Sequence, residues 1–151
     1  MKKIISDENP IKETVIVWLD FDAYSYFHLG VISKLSKLGE FDFIGIITRK
    51  QDMEFFEKQE FVKFKKLLYY PDCYINKSTY NMDNLKNIED NFGLNIWLNI
   101  FSERSFDKFW TDFHKFTREE ILIIIENSLV FFIDILEKEK PKMILMQTPG
   151  E

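Results

Sequence analysis

Thr14-Val15-Ile16-Val17-Trp18-Leu19-Asp20-Phe21-Asp22 is the stretch whose reading decides the fold. From Thr14 to Leu19 there is no charge, and two valines and an isoleucine carry branched β-carbons. A short apolar run without alternation reads as a strand buried on both faces, as in a parallel sheet. Asp20 and Asp22 stop it. Working outward, residues 24–38 place Tyr24, Phe27, Leu29, Val31, Leu35 and Leu38 at roughly helical spacing, with Gly39 as the stop signal. Phe41 to Thr48 is apolar again and reads as a second strand. The three pieces form a β-α-β unit, whose crossover should be right-handed.

The pattern continues toward the C-terminus. Residues 51–64 read as helical, in whole or in part, with Met53, Phe56, Phe61 and Phe64 on one face, and Leu67 to Tyr70 as a short third strand ended by Pro71-Asp72. Residues 72–80 read as loop. Asn81 to Asn91 reads as a polar helix with Met82, Leu85, Ile88 and Phe92 on its apolar side, stopped by Gly93. Residues 95–101 fit strand or helix. From Ser105 onward Phe106, Phe109, Trp110, Phe113 and Phe116 predict one aromatic helix face. Thr117-Arg118-Glu119-Glu120 is a capping box opening a long helix over 118–139. Pro141 closes that helix, and residues 143–146 predict a buried parallel strand. The expected fold is α/β: a Rossmann-like three-layer α/β/α arrangement with a mostly parallel sheet. Residues 1–13 read as a flexible lead. Residues 14–151 read as a single Rossmann-like domain, the N-terminal half of a larger two-domain protein.

Composition narrows the function classes. The chain has 151 residues, 46% of them hydrophobic, enough for one domain with a core. Its net charge of −5 comes from interleaved acids and bases, so no basic stripe suggests nucleic acid. The lysines between Lys63 and Lys66 read as a solvated face. Cys73 is the only cysteine, which rules out an intramolecular disulfide and fits a cytoplasmic protein. With two histidines, His28 and His114, it makes a poor set for zinc. No run reaches the roughly 18 apolar residues of a membrane span, and Met1 to Pro10 lacks the apolar core of a signal peptide. Neither glycine-rich phosphate-binding fingerprint occurs, and five glycines leave no phosphate-cradling loop. No cofactor and no resident metal are therefore expected.

Several residues are candidates for chemistry. Asp20 and Asp22, two residues apart at a strand's carboxyl end, suit Mg²⁺ binding or a nucleophile–acid pair; the plainer reading is that they cap the next helix. Asp20-Phe21-Asp22 resembles the opening of haloacid-dehalogenase-type phosphatases. Such an enzyme also needs a late acidic pair, where this chain reads Gln147-Thr148-Pro149. Tyr70 and Asp72 lie in Tyr69-Tyr70-Pro71-Asp72-Cys73-Tyr74, a mix of aromatic and polar groups suited to sugar rings or to a tyrosine packing seam. Arg104 could position an anion or simply pair with Glu103. His114 and His28 read as core-edge histidines before they read as bases. Thr148, Gly150 and Glu151 follow the last strand, where open α/β sheets bind ligands.

Taken together, the chain resembles the N-terminal half of glycosyltransferase-like capsule or surface polysaccharide biosynthesis proteins of the two-Rossmann (GT-B) plan. The likeness runs over residues 14–151. It is carried by Trp18-Leu19-Asp20-Phe21-Asp22, Tyr24-Ser25-Tyr26-Phe27-His28-Leu29-Gly30, Phe64-Lys65-Lys66-Leu67-Leu68-Tyr69-Tyr70, Arg104-Ser105-Phe106, Phe113-His114-Lys115-Phe116-Thr117 and Thr148-Pro149-Gly150-Glu151. The resemblance implies an acceptor-facing domain that works with a second Rossmann-like domain or subunit. That partner would hold most of the sugar nucleotide, with a glycan acceptor in the cleft and commonly no bound metal. It implies a chain inactive alone and assigns no catalytic residue; Asp20, Asp22 and Glu151 are candidates by strand-end position only. Two further readings stand beside it: a stand-alone Rossmann-like binding module, and a Mg-dependent phosphatase built on Asp20 and Asp22.

Overall fold

Strand β1 (Glu13–Leu19) sits inside a parallel sheet, flanked by β2 (Phe41–Ile47) on one side and β4 (Met143–Leu145) on the other. The structure, a computed structural model, describes residues 12–19, 23–102 and 116–146. With β3 (Phe64–Tyr69) outside β2, the strand order among these residues is β3-β2-β1-β4, and every pairing is parallel. The fold is α/β and Rossmann-like, as the apolar run at Thr14–Leu19 predicts. The chain forms two compact units, Met1–Tyr70 with Leu136–Glu151, and Pro71–Ile135.

In the first unit the register runs from Glu13 opposite Phe41 to Leu19 opposite Ile47, and from Val15 opposite Met143 to Val17 opposite Leu145. Strand residues alternate between faces. One face carries Val15, Val17, Leu19, Phe43 and Ile47, packed on Leu29 and Ile32 of α1 (Ala23–Ser36) and on Phe56 of α2 (Lys50–Lys58). Ile16, Ile44 and Ile46, on the other face, are buried too. Burial on both faces is why the sequence runs apolar instead of alternating. Each fully buried Val, Leu or Ile contributes about 1.5–3 kcal/mol of transfer free energy. Gly45 lets β2 and its neighbours close up. A β-carbon there would sit 2.6 Å from Leu67 Cδ2 and 2.7 Å from Leu19 Cδ1.

The helix expected over 51–64 ends early, at Lys58, and β3 begins at Phe64. The cause is the Gln59 side chain. Its Nε2 donates to the carbonyls of Phe56 (3.2 Å) and Val62 (2.6 Å), and its Oε1 accepts from the amides of Phe61 (2.8 Å) and Val62 (3.1 Å). That amide satisfies the backbone groups of a turn, so the chain leaves the helix there. β3 then carries Lys65 and Lys66, tolerable because it is an edge strand. Both lysines bond Glu139, Lys65 Nζ at 3.0 Å.

In the second unit, Asn81 caps α3 (Met82–Phe92). Its Oδ1 accepts from the amides of Asp83 (2.9 Å) and Asn84 (3.2 Å). Gly93 ends that helix in the left-handed region, φ 63°. Residues 95–101, open to either structure by sequence, fall in a helix, α4 (Ile96–Ser102). Asn95 Oδ1 accepts from Leu98 N at 2.9 Å, and Glu89 Oε1 accepts from Ile96 N at 2.7 Å. These two carboxyl and amide oxygens satisfy orphan donors at the helix start. α5 spans Arg118–Glu139, the bounds the capping box and Pro141 predict. Glu120 Oε2 accepts from Thr117 N (2.7 Å) and Thr117 Oγ1 from Glu120 N (3.2 Å). Among the described residues Leu85, Ile96 and Leu122 form one core cluster of this unit. The aromatic run Phe106, Phe109, Trp110 and Phe113 lies outside the described residues.

Candidate functional site

The sheet of the first unit points to one place. β2 and β3 succeed β1 on one side, whereas β4 lies on the other. Strand order therefore reverses between β1 and β4, and ligands of open α/β sheets bind at the carboxyl ends of the strands beside such a reversal.

Trp18 is one residue beyond Val17, the last β1 residue paired with β4. Its carbonyl oxygen meets His28 Nδ1 of α1 at 3.2 Å. A carbonyl only accepts, so Nδ1 carries a proton, and in the neutral ring Nε2 is then the acceptor nitrogen. His28 is 7% exposed. Among the described residues Nε2 has no hydrogen-bond partner, and no fully buried side-chain nitrogen or oxygen lacks one, so Nε2 is not wholly sealed from the surface. This is a buried histidine held in one tautomer by the strand end. The sequence reading of His28 as a core-edge residue holds for its burial; the fixed tautomer comes from a contact ten residues back in the chain.

Aromatic surface lies along the same edge. The Trp18 ring stands 5.3 Å from that of Tyr70, tilted 58°. Phe27 and Tyr26, in the first turns of α1, are 68% and 55% exposed. Beyond β2, Arg49 Nε donates to Asp52 Oδ2 at 2.7 Å, an ion pair with the carboxylate buried and the guanidinium half-exposed. Asp52 also occupies the first turn of α2, where its charge suits the helix dipole. The sequence reading missed this pair. An Arg-x-x-Asp spacing directly after a strand is the signal that carries it.

Of the residues singled out by sequence, Tyr70 and Asp72 are described. Tyr70 closes the first unit, half-buried against Trp18, as the start of a single 3₁₀ turn over Tyr70–Cys73. Asp72 is exposed and belongs to the second unit. Asp20, Asp22, Arg104, His114, Thr148, Gly150 and Glu151 lie outside the described residues. By chain order Asp20 follows the last residue of β1, and Gln147 and Thr148 come shortly after β4.

Cys73 Sγ is drawn into the second unit, where burial raises the thiol above its ordinary value; a hydrogen bond with Ser128 opposes that rise. Raised thiols make poor nucleophiles at neutral pH. Among the described residues no group of three or more His, Cys, Asp or Glu is placed to hold a metal ion, and no helix is long and apolar enough to cross a membrane. No protein-family model, no curated protein and no solved structure matches the chain.

Proposed function

We propose that this chain is the N-terminal, acceptor-side unit of a GT-B-like glycosyltransferase of capsule or surface polysaccharide biosynthesis, and that its glycan acceptor lies at the carboxyl edge of the sheet beside β1. The observation that carries the reading is the reversal of strand order between β1 and β4, with His28 fixed on the Trp18 carbonyl there. In this reading the faces of Phe27 and Tyr26 stack against the C–H faces of sugar rings. His28 Nε2 accepts a hydrogen bond from a sugar hydroxyl. The sugar nucleotide is held by a second Rossmann-like domain or subunit, so the chain by itself transfers nothing.

The test is an amide-resolved NMR titration of the 151-residue chain with two kinds of ligand. One is a set of oligosaccharides released from bacterial surface polysaccharides. The other is a panel of uridine and cytidine diphosphate and monophosphate sugars. Oligosaccharides are expected to shift the amides of Trp18, Phe27, His28 and Tyr70, and His28→Ala is expected to weaken that binding about tenfold, the worth of one hydrogen bond. Sugar nucleotides are expected to leave those amides in place. Shifts confined to other parts of the chain, or saturating binding of a sugar nucleotide with no response to glycans, would overturn the proposal.

A further inference from the structure

The second unit holds a pocket that the sugar reading does not use. It is a cavity of about 570 Å³, lined by Trp97 and Ile100 of α4 and by Arg118, Ile121 and Leu122 of α5. That volume lies within the range of small-molecule sites, about 300–1,000 Å³. Of the described residues that line it, Trp97, Ile100, Ile121 and Leu122 are apolar or aromatic and Arg118 is a cation.

The cation is unusually placed. The Arg118 guanidinium lies over the Trp97 ring, 5.8 Å from its centroid, within the range of a cation–π contact. Its nearest acidic neighbours in sequence are Glu119 and Glu120. Glu120 is committed to the Thr117 amide at 2.7 Å. Among the described residues no carboxylate forms an ion pair with Arg118. A cation–π contact of this kind keeps the guanidinium near the aromatic face and uses none of its N–H donors, which remain for an anion. Because the capping box already serves the start of α5, the charge is not needed there.

We propose that this pocket binds a small anionic amphiphile, with an alkyl or isoprenoid chain against Trp97, Ile100, Ile121 and Leu122 and a carboxylate or phosphate head on Arg118. Apolar walls reward a chain by the area they remove from water. They give no reason for a charged head; Arg118 does, as the fork that matches carboxylate and phosphate oxygens.

The experiment uses the whole chain and three probes of equal chain length below their micelle concentrations: dodecyl phosphate, dodecanoate and dodecanol, followed by calorimetry and tryptophan fluorescence. The anions are expected to bind roughly ten- to a hundredfold more tightly than the alcohol, the worth of a hydrogen bond to a charged group. Arg118→Met, an exposed position, is expected to erase that difference while the alcohol still binds. Ile121→Trp, which fills the cavity, is expected to abolish binding of all three, with circular dichroism showing an unchanged fold. Equal binding of anion and alcohol by the parent chain would overturn the head-group assignment. No binding of any probe, or full binding by Ile121→Trp, would overturn the pocket. If dodecanoate and dodecyl phosphate separate, the tighter one identifies the head.

Discussion

Loss of the Glu126 side chain should weaken the second unit at the junction of α3 and α5. Glu126 is 8% exposed on α5, and its carboxylate holds the start of α3 by two bonds. Oε2 accepts from the Asn81 amide at 2.7 Å and Oε1 from Asn84 Nδ2 at 2.8 Å. Hydrogen bonds to a charged group are worth about 1.5–3 kcal/mol each. Glu126→Ala removes both, but Asn81 is exposed and water can take over part of its bond. Deleting the carboxylate also relieves the cost of keeping it from water. The net expectation is about 2–4 kcal/mol for Glu126→Ala. Glu126→Gln keeps the shape and one acceptor but turns an N–H₂ toward a donor, so about 1.5–3 kcal/mol is expected. Urea unfolding at neutral pH gives the totals. Amide hydrogen exchange locates them, with protection falling first at Asn81, Asn84 and Leu85. Glu119→Gln, on the exposed first turn of the same helix, is the control and should stay within about 0.5 kcal/mol. An Asn84→Ala/Glu126→Ala cycle should show coupling near 1 kcal/mol, typical of residues in contact. If Glu126→Gln is neutral and exchange at Asn81 and Asn84 is unchanged, the two bonds do not anchor α3 and the reasoning fails.

Three more outcomes follow from geometry already described. Gly45→Ala should destabilise the chain by about 1–3 kcal/mol, because its methyl would press on Leu19 and Leu67 in a packed sheet; denaturant midpoints decide it. Lys66, and then Lys65, hold the Glu139 carboxyl below the ordinary Glu range. A depressed folded value contributes stability that is present above the unfolded value and lost as pH falls through the folded one. Stability should therefore decline on acidification below the ordinary Glu range in the parent chain, and less steeply in Glu139→Gln; acid unfolding of the two proteins, with the Glu139 carboxyl carbon of the parent followed by NMR, checks the sign. Cys73 should react with iodoacetamide at pH 8 several-fold more slowly than a free thiol, since burial raises it; a rate equal to glutathione's would contradict that.

Sequence and structure agree best where one local rule suffices. The uncharged Thr14–Leu19 run could only be a doubly buried strand, and β1 is one. Thr117 and Glu120 carry both halves of a capping box, so the start of α5 was legible from four letters. Gly93 marks the end of α3 because a left-handed residue is wanted there. The readings that shifted depend on side chains acting across a few residues or on sheet position. Gln59 ends α2 by folding its amide back on the turn, which periodicity cannot register. β3 begins three residues earlier than expected because Lys65 and Lys66, which read as a solvated face, are allowed on an edge strand. The site was the least legible. Tyr70 was singled out for its chemistry, and its packing on Trp18 joins two strand ends far apart in sequence. His28 looked like packing, and its tautomer is set by a carbonyl on another element. No period or motif encodes that contact.

The first unit is discontinuous in sequence, interrupted after Tyr70 and resumed at Leu136. On a ribosome, that order matters. β2 is complete at Ile47 and can pair with β1 at once, but β4 starts only at Met143. At about 5–20 residues per second, roughly 5–20 s separate the two events. Through that interval Pro71–Ile135 has been made and is free to fold by itself, while the far edge of β1, with Val15, Ile16 and Val17, has no neighbour. A β-branched edge left open is the kind of template on which chains mispair. The nascent protein therefore carries an open strand edge at the centre of its future sheet until the three residues of β4 cover it.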